Sequence, residues 1–429
     1  MEGSGDRSRY EVKVEGGKGA VIGDYATVVQ VFNDAPRSLA SQIRTEEFTT
    51  LIAERTRRFV GREYVFAAID EALVDPDYRS GYVVLRGEPG IGKTAIMSRF
   101  VQDRACVHHF NIAPLGIRSP QAFLANVCAQ LIVRYGLDHD SVPLDALQDG
   151  GFLARLLREA AEEPANHPIV VAVDALDEAE HVALPAGANH LFLPPSLPTG
   201  VWFVVSTREE TRTRLYADPV IDVYVRDDDP RNLADVKDYV GAYIETNRER
   251  MESRIDEWGV DEATFADVLT DKSAGNFMYL VHVLRDIARG ALTAATVDDL
   301  DKLPEGLRRY YAGHWQDMRG VDPERFERYG QPVVCLLATA REPVSLEQLL
   351  EWTRRHWEQQ GWDPAGLDAM AVKDVLGEWR EFLNADGASG RRRYRVYHAS
   401  FQDFLADEVG LVTYHATIGE SALAKIPGF

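Results

Sequence analysis

The segment Gly87–Thr94, with the sequence GEPGIGKT, has the residue types and spacing of a phosphate-binding loop, GxxxxGK[ST]. Glycines at these positions let backbone N–H groups curl around phosphate oxygens, and the helix that follows directs its positive end at them. We expect Lys93 to reach the β- and γ-phosphates and Thr94 to bind Mg²⁺. An apolar run at Tyr82–Leu85 predicts the strand that must precede such a loop. The predicted contacts of the loop to ATP or ADP are Gly87, Gly90, Ile91, Gly92, Lys93, Thr94 and Ala95.

A phosphate-binding loop requires an acidic element on a neighbouring strand, which holds Mg²⁺ and orients water. The stretch Ile169–Val173 predicts a buried strand, and Asp174 follows at its carboxyl end. We expect Asp174 to bind Mg²⁺ and Asp177 to position the attacking water, with Glu178 as the second candidate for that catalytic role. Three carboxylates so close in sequence would repel one another without a cation, which also favours Mg²⁺.

Arg208 follows the next predicted strand, Val201–Val205, within the sequence Ser206-Thr207-Arg208. Ligands of open α/β sheets bind in the crevice at the carboxyl ends of the strands. Arg208 is therefore a candidate to contact the γ-phosphate and so to report which nucleotide is bound. The alternative is an ordinary surface arginine.

Predicted strands and helices alternate between residues 41 and 228, which is typical of an α/β P-loop NTPase core, a parallel sheet with helices on both faces. The predicted strands are Tyr82–Leu85, Val107–Ile112, Ile169–Val173, Val201–Val205 and Val220–Val225. Residues 229–316 predict only helices, beginning with Leu233–Glu252, and so a helical lid domain with a connecting arm.

The C-terminal residues, 317–429, predict a winged-helix domain. Three helices, the last at Met370–Leu383, come before a polar turn at residues 385–390 and an extended stretch at Arg391–Tyr397, and a further helix starts near Ser400. Residues 1–40 form a tail with a short β-rich segment. Within it, Ala26–Phe32 is uncharged and β-prone, which leaves two interpretations open: a hairpin packed on the core, or an amyloid-type signalling motif.

Composition restricts the partners. The net charge of −21 disfavours constitutive binding to nucleic acid, whose phosphates attract Lys and Arg. The basic run Arg391–Arg393 with Arg395 leaves a DNA-binding interpretation open. No apolar run approaches the roughly 20 residues that cross a bilayer, and the polar N-terminus excludes an ordinary secretory signal. We therefore expect a cytoplasmic protein with no membrane partner.

Two other groups of residues that could bind metal are not expected to do so. The three cysteines, Cys106, Cys128 and Cys335, contain no CxxC pair and predict neither a zinc site nor a disulfide framework. His108 and His109 are adjacent on a predicted strand, so their side chains point to opposite faces. The metal is therefore expected only at the phosphate-binding loop.

Several motifs together resemble the STAND class of signalling ATPases, and within it the NACHT-type bacterial relatives of NOD-like immune receptors. The resemblance covers about residues 41–429. It rests on the loop and on these segments: Val60-Gly61-Arg62-Glu63, Val173-Asp174-Ala175-Leu176-Asp177-Glu178, Ser206-Thr207-Arg208, Ser273-Ala274-Gly275-Asn276-Phe277-Met278-Tyr279 and Tyr397-His398-Ala399-Ser400-Phe401-Gln402-Asp403-Phe404-Leu405. Where many relatives have a proline in the lid, this chain has Phe277.

The resemblance implies a slow ATPase that acts as a switch in bacterial antiviral or stress defence. In that class ADP holds the lid and winged helix closed, whereas ATP favours an open form that self-associates and activates an effector. It further implies that Val60 and Arg62 lie at the adenine, that Gly61 between them belongs to the nucleotide-binding residues, and that His398 contacts the β-phosphate of ADP. Two other functions stay open: a winged-helix transcription regulator controlled by ATP, and an ATP-driven remodelling ATPase of AAA type.

Overall fold

The computed structural model describes residues 38–112, 115, 117–180, 188–208, 215–294, 300, 303–380, 382–386 and 392–423. The predicted β-rich segment at Ala26–Phe32 lies outside these ranges, as do Arg391 and most of the predicted polar turn. None of the helices within these ranges has the length and apolar character needed to cross a membrane.

Five strands form the parallel sheet that the sequence predicts. They are β1 (Gly81–Gly87), β2 (Val107–Phe110), β3 (Ile169–Asp174), β4 (Val201–Thr207) and β5 (Val220–Val225), in the order β2-β3-β4-β1-β5. All four neighbouring pairs are parallel. One expectation was wrong, because the acidic strand β3 is not next to the loop strand β1. Strand β4 lies between them, and the carboxyl ends of all three meet at one edge.

Helices cover both faces of this sheet. They are α1 (Leu39–Gln42), α2 (Thr45–Thr56), α3 (Glu63–Val74), α4 (Lys93–Arg104), α5 (Pro120–Tyr135) and α6 (Gly151–Ala161). Alternate residues of one strand belong to different cores: Val171 packs with residues of α5 and α6, and Ala172 with residues of α2, α3 and α4. This alternation is why β3 is apolar throughout.

The described residues between 230 and 321 form helices without strands, as predicted: α7 (Pro230–Thr246), α8 (Arg248–Glu257), α9 (Glu262–Ser273), α10 (Phe277–Arg289) and α11 (Gly306–Val321). The predicted helix Leu233–Glu252 is in fact two helices. Asn247 separates them, and its side-chain amide donates to the carbonyl oxygen of Tyr243 at the end of α7 (2.8 Å). Asn favours such local bonds over helix propagation.

The C-terminal region combines helices with a small antiparallel sheet of strand order β6-β8-β7. Its elements are α12 (Pro323–Arg325), a π-helical turn (Phe326–Gly330), α13 (Gln331–Thr339), β6 (Val344–Ser345), α14 (Leu346–Gln359), α15 (Ala369–Glu378), β7 (Leu383–Asp386), β8 (Arg393–Val396), α16 (Ala399–Glu408) and α17 (Val412–Leu423). The predicted helix Met370–Leu383 was too long. It ends at Glu378, and Leu383 instead begins β7.

One hydrophobic cluster joins the helical region to the C-terminal region. Tyr311 on α11 lies 5.4 Å, between ring centroids, from Phe382 and 5.1 Å from Phe401. Helix α11 runs through the predicted domain boundary between residues 316 and 317. The helix and the cluster are continuous across this position, so the domain boundary stays a prediction.

Candidate active site

A cavity of about 390 Å³ lies at the carboxyl edge of the parallel sheet. This is a typical volume for a small-molecule site. Its walls come from the loop before α4, the segment between α2 and α3, the ends of β3 and β4, helices α7 and α10, and the start of α16. The sequence-predicted residues that line it are Val60, Arg62, Gly90, Gly92, Lys93, Thr94, Ala95, Asp177, Glu178, Arg208 and His398.

The loop has the backbone conformation that its glycines permit. Gly90 and Gly92 have φ angles of +85° and +103°, where a side chain is strained. The Lys93 ammonium donates to the carbonyl oxygens of Gly87 (2.6 Å) and Glu88 (3.0 Å). Burial lowers the pKa of Lys93, although Asp177 and Asp174 oppose that shift. The two carbonyl oxygens accept hydrogen bonds from this ammonium group but carry no net charge. A phosphate group bound in the loop would supply the missing negative charge.

The two predicted magnesium ligands lie together. The hydroxyl group of Thr94 is hydrogen bonded to the Asp174 carboxylate, and Ser206 Oγ donates to Asp174 Oδ1 at 2.5 Å. Asp174 is 2% exposed, and burial raises the pKa of its carboxyl group. A divalent cation at this position would offset that burial, so Thr94 and Asp174 fit Mg²⁺. These are the oxygen ligands it prefers.

The acidic cluster differs from expectation. Among the described residues, no group of three or more His, Cys, Asp or Glu side chains converges on a metal position. A 3₁₀ turn at Leu176–Glu178, entered through Ala175 with a φ of +53°, carries Asp177 past Asp174. Asp177 is instead bound to Arg208, and its other oxygen, Oδ1, is buried with no hydrogen-bond partner. Asp177 still raises the pKa of Asp174 by repulsion, but its own charge is balanced by Arg208, so the three carboxylates do not form one cluster that requires a cation.

Arg208 is neither a surface arginine nor a free cation. Its Nε lies 2.8 Å from Asp177 Oδ2, and its Nη1 lies 2.6 Å from Asp403 Oδ2 on α16. Burial by itself lowers the pKa of Arg208, but Asp403 and Asp177 outweigh it, so the net shift is upward. A contact to the γ-phosphate would have to compete with these two carboxylates.

Arg62 lines the cavity and also binds the loop and α7. It is 2% exposed, and its Nη2 donates to the carbonyl oxygen of Ile91 in the loop (2.8 Å). Its Nη1 donates to Asn232 Oδ1 (2.7 Å), and its backbone N–H donates to Asp235 Oδ2 (3.0 Å). A Cβ atom at the preceding Gly61 would collide with the Asp235 carboxylate. Arg62 and Gly61 therefore join the loop to α7, and the adenine contacts of Val60 and Arg62, which both line the cavity, stay a prediction.

His398 lines the cavity, and its contact to the β-phosphate of ADP stays a prediction. Its Nδ1 accepts from the backbone N–H of Ser400 (3.1 Å), so the proton of the neutral ring is on Nε2. Burial lowers the pKa of His398 to about 3, and the nearby Arg55, Lys93 and Arg208 add to the shift. The imidazole is therefore neutral at pH 7, with one N–H available to donate.

Two connections between the loop and α10 were not predicted from the sequence. Asn276 caps α10 through Oδ1, which accepts from the N–H groups of Met278 and Tyr279, while its Nδ2 donates to the carbonyl oxygen of Pro89 (2.9 Å). The N–H of Met278 also donates to the carbonyl oxygen of Gly90 (3.1 Å). An Asn before an apolar helix is an ordinary capping signal, so the cap of α10 could have been identified from the sequence, whereas no local signal relates Asn276 to Pro89.

Comparison with known proteins identifies the core. The family model described as AAA ATPase domain matches residues 58–204, a range that includes the loop and the acidic turn. No curated protein matches the chain.

Similar solved structures include Cdc6p from Pyrobaculum aerophilum (13% identity, TM-score 0.30, covering 85% of this chain and 94% of that one). Drosophila ORC bound to DNA (14%, 0.31, 85% and 98%) and the Thermotoga maritima RuvB Holliday junction branch migration motor (13%, 0.28, 86% and 97%) are others. At these TM-scores the likenesses carry no argument about this chain. The prediction that the chain does not bind nucleic acid gains no support from them. The family match and the geometry of the loop together identify a P-loop nucleoside triphosphatase core in residues 58–204.

Proposed function

We propose that this chain is a nucleotide-gated signalling ATPase, closed with ADP and open with ATP, that self-associates in the open form. The observation that carries the proposal is that the start of α16 forms one wall of the nucleotide cavity. His398 lines the same cavity as Lys93 and Thr94, and Asp403 binds Arg208 at its edge. The C-terminal region and the nucleotide therefore affect each other directly.

The contacts of the C-terminal region favour a switch. Besides the Arg208 pair, Arg55 on α2 donates from Nη1 to the Tyr397 hydroxyl (3.0 Å). The side chains of Arg208 and Asp403 are 27% and 48% exposed and the Arg55–Tyr397 bond is partly buried, whereas the C-terminal region shares an extensive apolar core with α10 and α11. These two polar contacts are the ones expected to be exchanged for water when the C-terminal region opens, because polar contacts between domains separate at lower cost than apolar packing.

The C-terminal region is proposed to be a winged helix that acts as an internal lid. The strand order β6-β8-β7, with helices α13, α14 and α15 before the β7–β8 pair, supports this assignment. The third of these helices, α15, contains one basic residue, Lys373, and two acidic residues, Asp374 and Glu378. Glu378 is paired with Arg325. Such a helix lacks the excess of Lys and Arg that DNA binding requires, so the transcription-regulator alternative is less well supported.

Hydrolysis is assigned to the acidic turn. When bound, Mg²⁺ would neutralise charge on the phosphates, held by Thr94 and Asp174. Asp177 Oδ1, which is buried and has no partner, is suited to accept a hydrogen bond from the attacking water. Glu178 also lines the cavity and is the second candidate for this role. The place of the switch in antiviral or stress defence rests on the family resemblance alone.

Mass measurement in solution tests the proposal. The full chain should keep one mass with ADP and form a larger species with a non-hydrolysable ATP analogue, while Lys93→Ala should remain at the smaller mass with either nucleotide. A single mass with both nucleotides, together with rapid continuous turnover, would instead favour the remodelling-ATPase alternative.

A further inference from the structure

Arg208 at the end of β4 is held by two carboxylates from different parts of the chain. Asp177 belongs to the nucleotide core and its side chain is 8% exposed, whereas Asp403 belongs to α16 and its side chain is 48% exposed. The two acids bind different nitrogens of one guanidinium group. A half-buried arginine requires charge partners for its donor groups. The nucleotide core supplies one of these partners, Asp177, and Asp403 supplies the second.

The position of this pair gives Asp403 its significance. Arg208 lines the cavity that contains Lys93, and Lys93 is the residue expected to bind the β- and γ-phosphates. We therefore expect the third phosphate of a triphosphate to bring negative charge to Arg208, where Asp403 already supplies it, whereas a diphosphate lacks that phosphate. Two anions on one guanidinium group repel each other, and the repulsion is larger at a partly buried site than in bulk water.

We propose that Asp403 determines the discrimination between nucleoside diphosphate and triphosphate, because its carboxylate occupies on Arg208 the place of the third phosphate. This inference rests on the proposed function and deepens it. With a diphosphate, Asp403 stays on Arg208 and α16 stays at the cavity. With a triphosphate, the γ-phosphate takes Arg208, Asp403 returns to water, and the C-terminal region is released. Asp403 is a positioning residue that acts through Arg208.

The same helix contains a matched ion pair that does not reach the nucleotide. Arg308 Nη1 on α11 lies 2.9 Å from Asp407 Oδ2, with side chains 66% and 60% exposed. This pair joins α16 to α11 and not to the nucleotide core. A change at Asp407 therefore removes one carboxylate and one ion pair from α16 without touching Arg208.

The experiment measures the affinity of the full chain for ADP and for a non-hydrolysable ATP analogue, both with Mg²⁺, by calorimetry. Asp403→Asn and Asp403→Ala are each expected to raise the affinity for the ATP analogue relative to that for ADP by about tenfold, the size of one partly buried charge contact. Asp407→Asn should leave the ratio as in the wild type. A purely structural role of Asp403 would change both affinities in parallel.

The outcomes separate this inference from the proposed function. If the wild type binds both nucleotides and the Asp403 variants keep its affinity ratio, or lose both affinities in parallel, the inference is overturned while the switch proposal stands. If the wild type binds neither nucleotide, the proposed function fails first. An equal shift in Asp407→Asn would also overturn the inference, because the effect would then belong to the helix and not to Arg208.

Discussion

The guanidinium carbon of Arg62 lies 4.5 Å from the centre of the Phe277 ring. Arg62 precedes α3 of the nucleotide core, whereas Phe277 begins α10 of the helical region, so this contact spans the two. The same guanidinium group donates to the loop at Ile91 and to Asn232 on α7. One side chain thus joins the phosphate-binding loop to two helices beyond the sheet.

Arg62→Lys should therefore destabilise the chain and weaken nucleotide binding, because an ammonium group cannot reproduce the fork of donors or the stacking on Phe277. We expect the free energy of unfolding to fall by on the order of 2 kcal/mol, since buried hydrogen-bond acceptors are left unsatisfied. The thermal midpoint measures this change. Arg231→Lys is the control: Arg231 also stacks on a ring, that of Tyr64 at 4.4 Å, but is 63% exposed. Similar shifts in both variants would contradict the assigned role of Arg62.

Nucleotide binding should depend on Lys93. Its ammonium group donates to two carbonyl oxygens of the loop, directly beside the predicted phosphate position. Lys93→Ala should remove detectable binding of ATP and ADP in calorimetry, because the phosphate charge would lose its closest cation. Lys373→Ala, at an exposed lysine on α15, should bind normally. Unchanged affinity in Lys93→Ala would end the assignment of the loop.

Hydrolysis should depend on the acidic turn. The variants Asp177→Asn and Glu178→Gln should both still bind ATP. The variant that lacks the water-positioning carboxylate should hydrolyse ATP about a hundredfold more slowly than the wild type, a typical effect of removing a general base. Asp177 is the first choice because its Oδ1 is buried and unpartnered. Phosphate release under saturating ATP is the measurement. Glu180→Gln is the control, because Glu180 is paired with Arg341 and is not among the residues that line the cavity. Wild-type turnover in both test variants would show that the roles are misassigned.

Local pattern was enough to predict the sheet and the loop. The strand before Gly87 and the helix from Lys93 follow from apolar runs and from one motif, and Phe277–Arg289 was predicted with its observed bounds. Relations across the chain were not accessible in this way. Arg208 and Asp403 are 195 residues apart, and no local signal relates them. Likewise, the sequence motif around Arg62 gives its neighbours, but only the fold shows that Asn232 and Asp235 occupy its donors.

Acid should destabilise the fold through its buried histidines. His282 is 1% exposed, and burial lowers its pKa to about 3, with Arg285 adding to the shift. Below about pH 6.5 the unfolded chain binds a proton that the folded His282 does not, so stability present at pH 7 is lost as the pH falls toward 3. Between pH 7.5 and pH 5.5, the thermal midpoint should fall less in His282→Phe than in the wild type. Phe suits the site, because Tyr310 and Phe382 flank the ring at 5.5 and 5.3 Å. Equal slopes in the two proteins would refute this source of acid sensitivity, and His415→Gln, at an exposed position, should leave the slope unchanged.

His398 should stabilise the closed, ADP-bound form. Its Nδ1 is held by the N–H of Ser400, which leaves Nε2–H as the donor, and its low pKa keeps the ring neutral. A neutral donor at the cavity can bind a phosphate oxygen without the cost of burying another cation beside Lys93 and Arg208. His398→Ala removes that donor, so ADP should bind about tenfold more weakly, the size of one hydrogen bond to a charged group.

The same loss should move the equilibrium between closed and open forms. Because His398 acts on the closed form, His398→Ala should give the larger species at a lower concentration of the ATP analogue than the wild type requires. His415→Ala, which removes an exposed histidine from α17, should match the wild type in both measurements. An unchanged ADP affinity, or a structure with ADP in which His398 Nε2 lies beyond hydrogen-bonding distance of the β-phosphate, would remove this role. The result would then leave the Asp403–Arg208 pair as the remaining direct contact proposed between the C-terminal region and the nucleotide state.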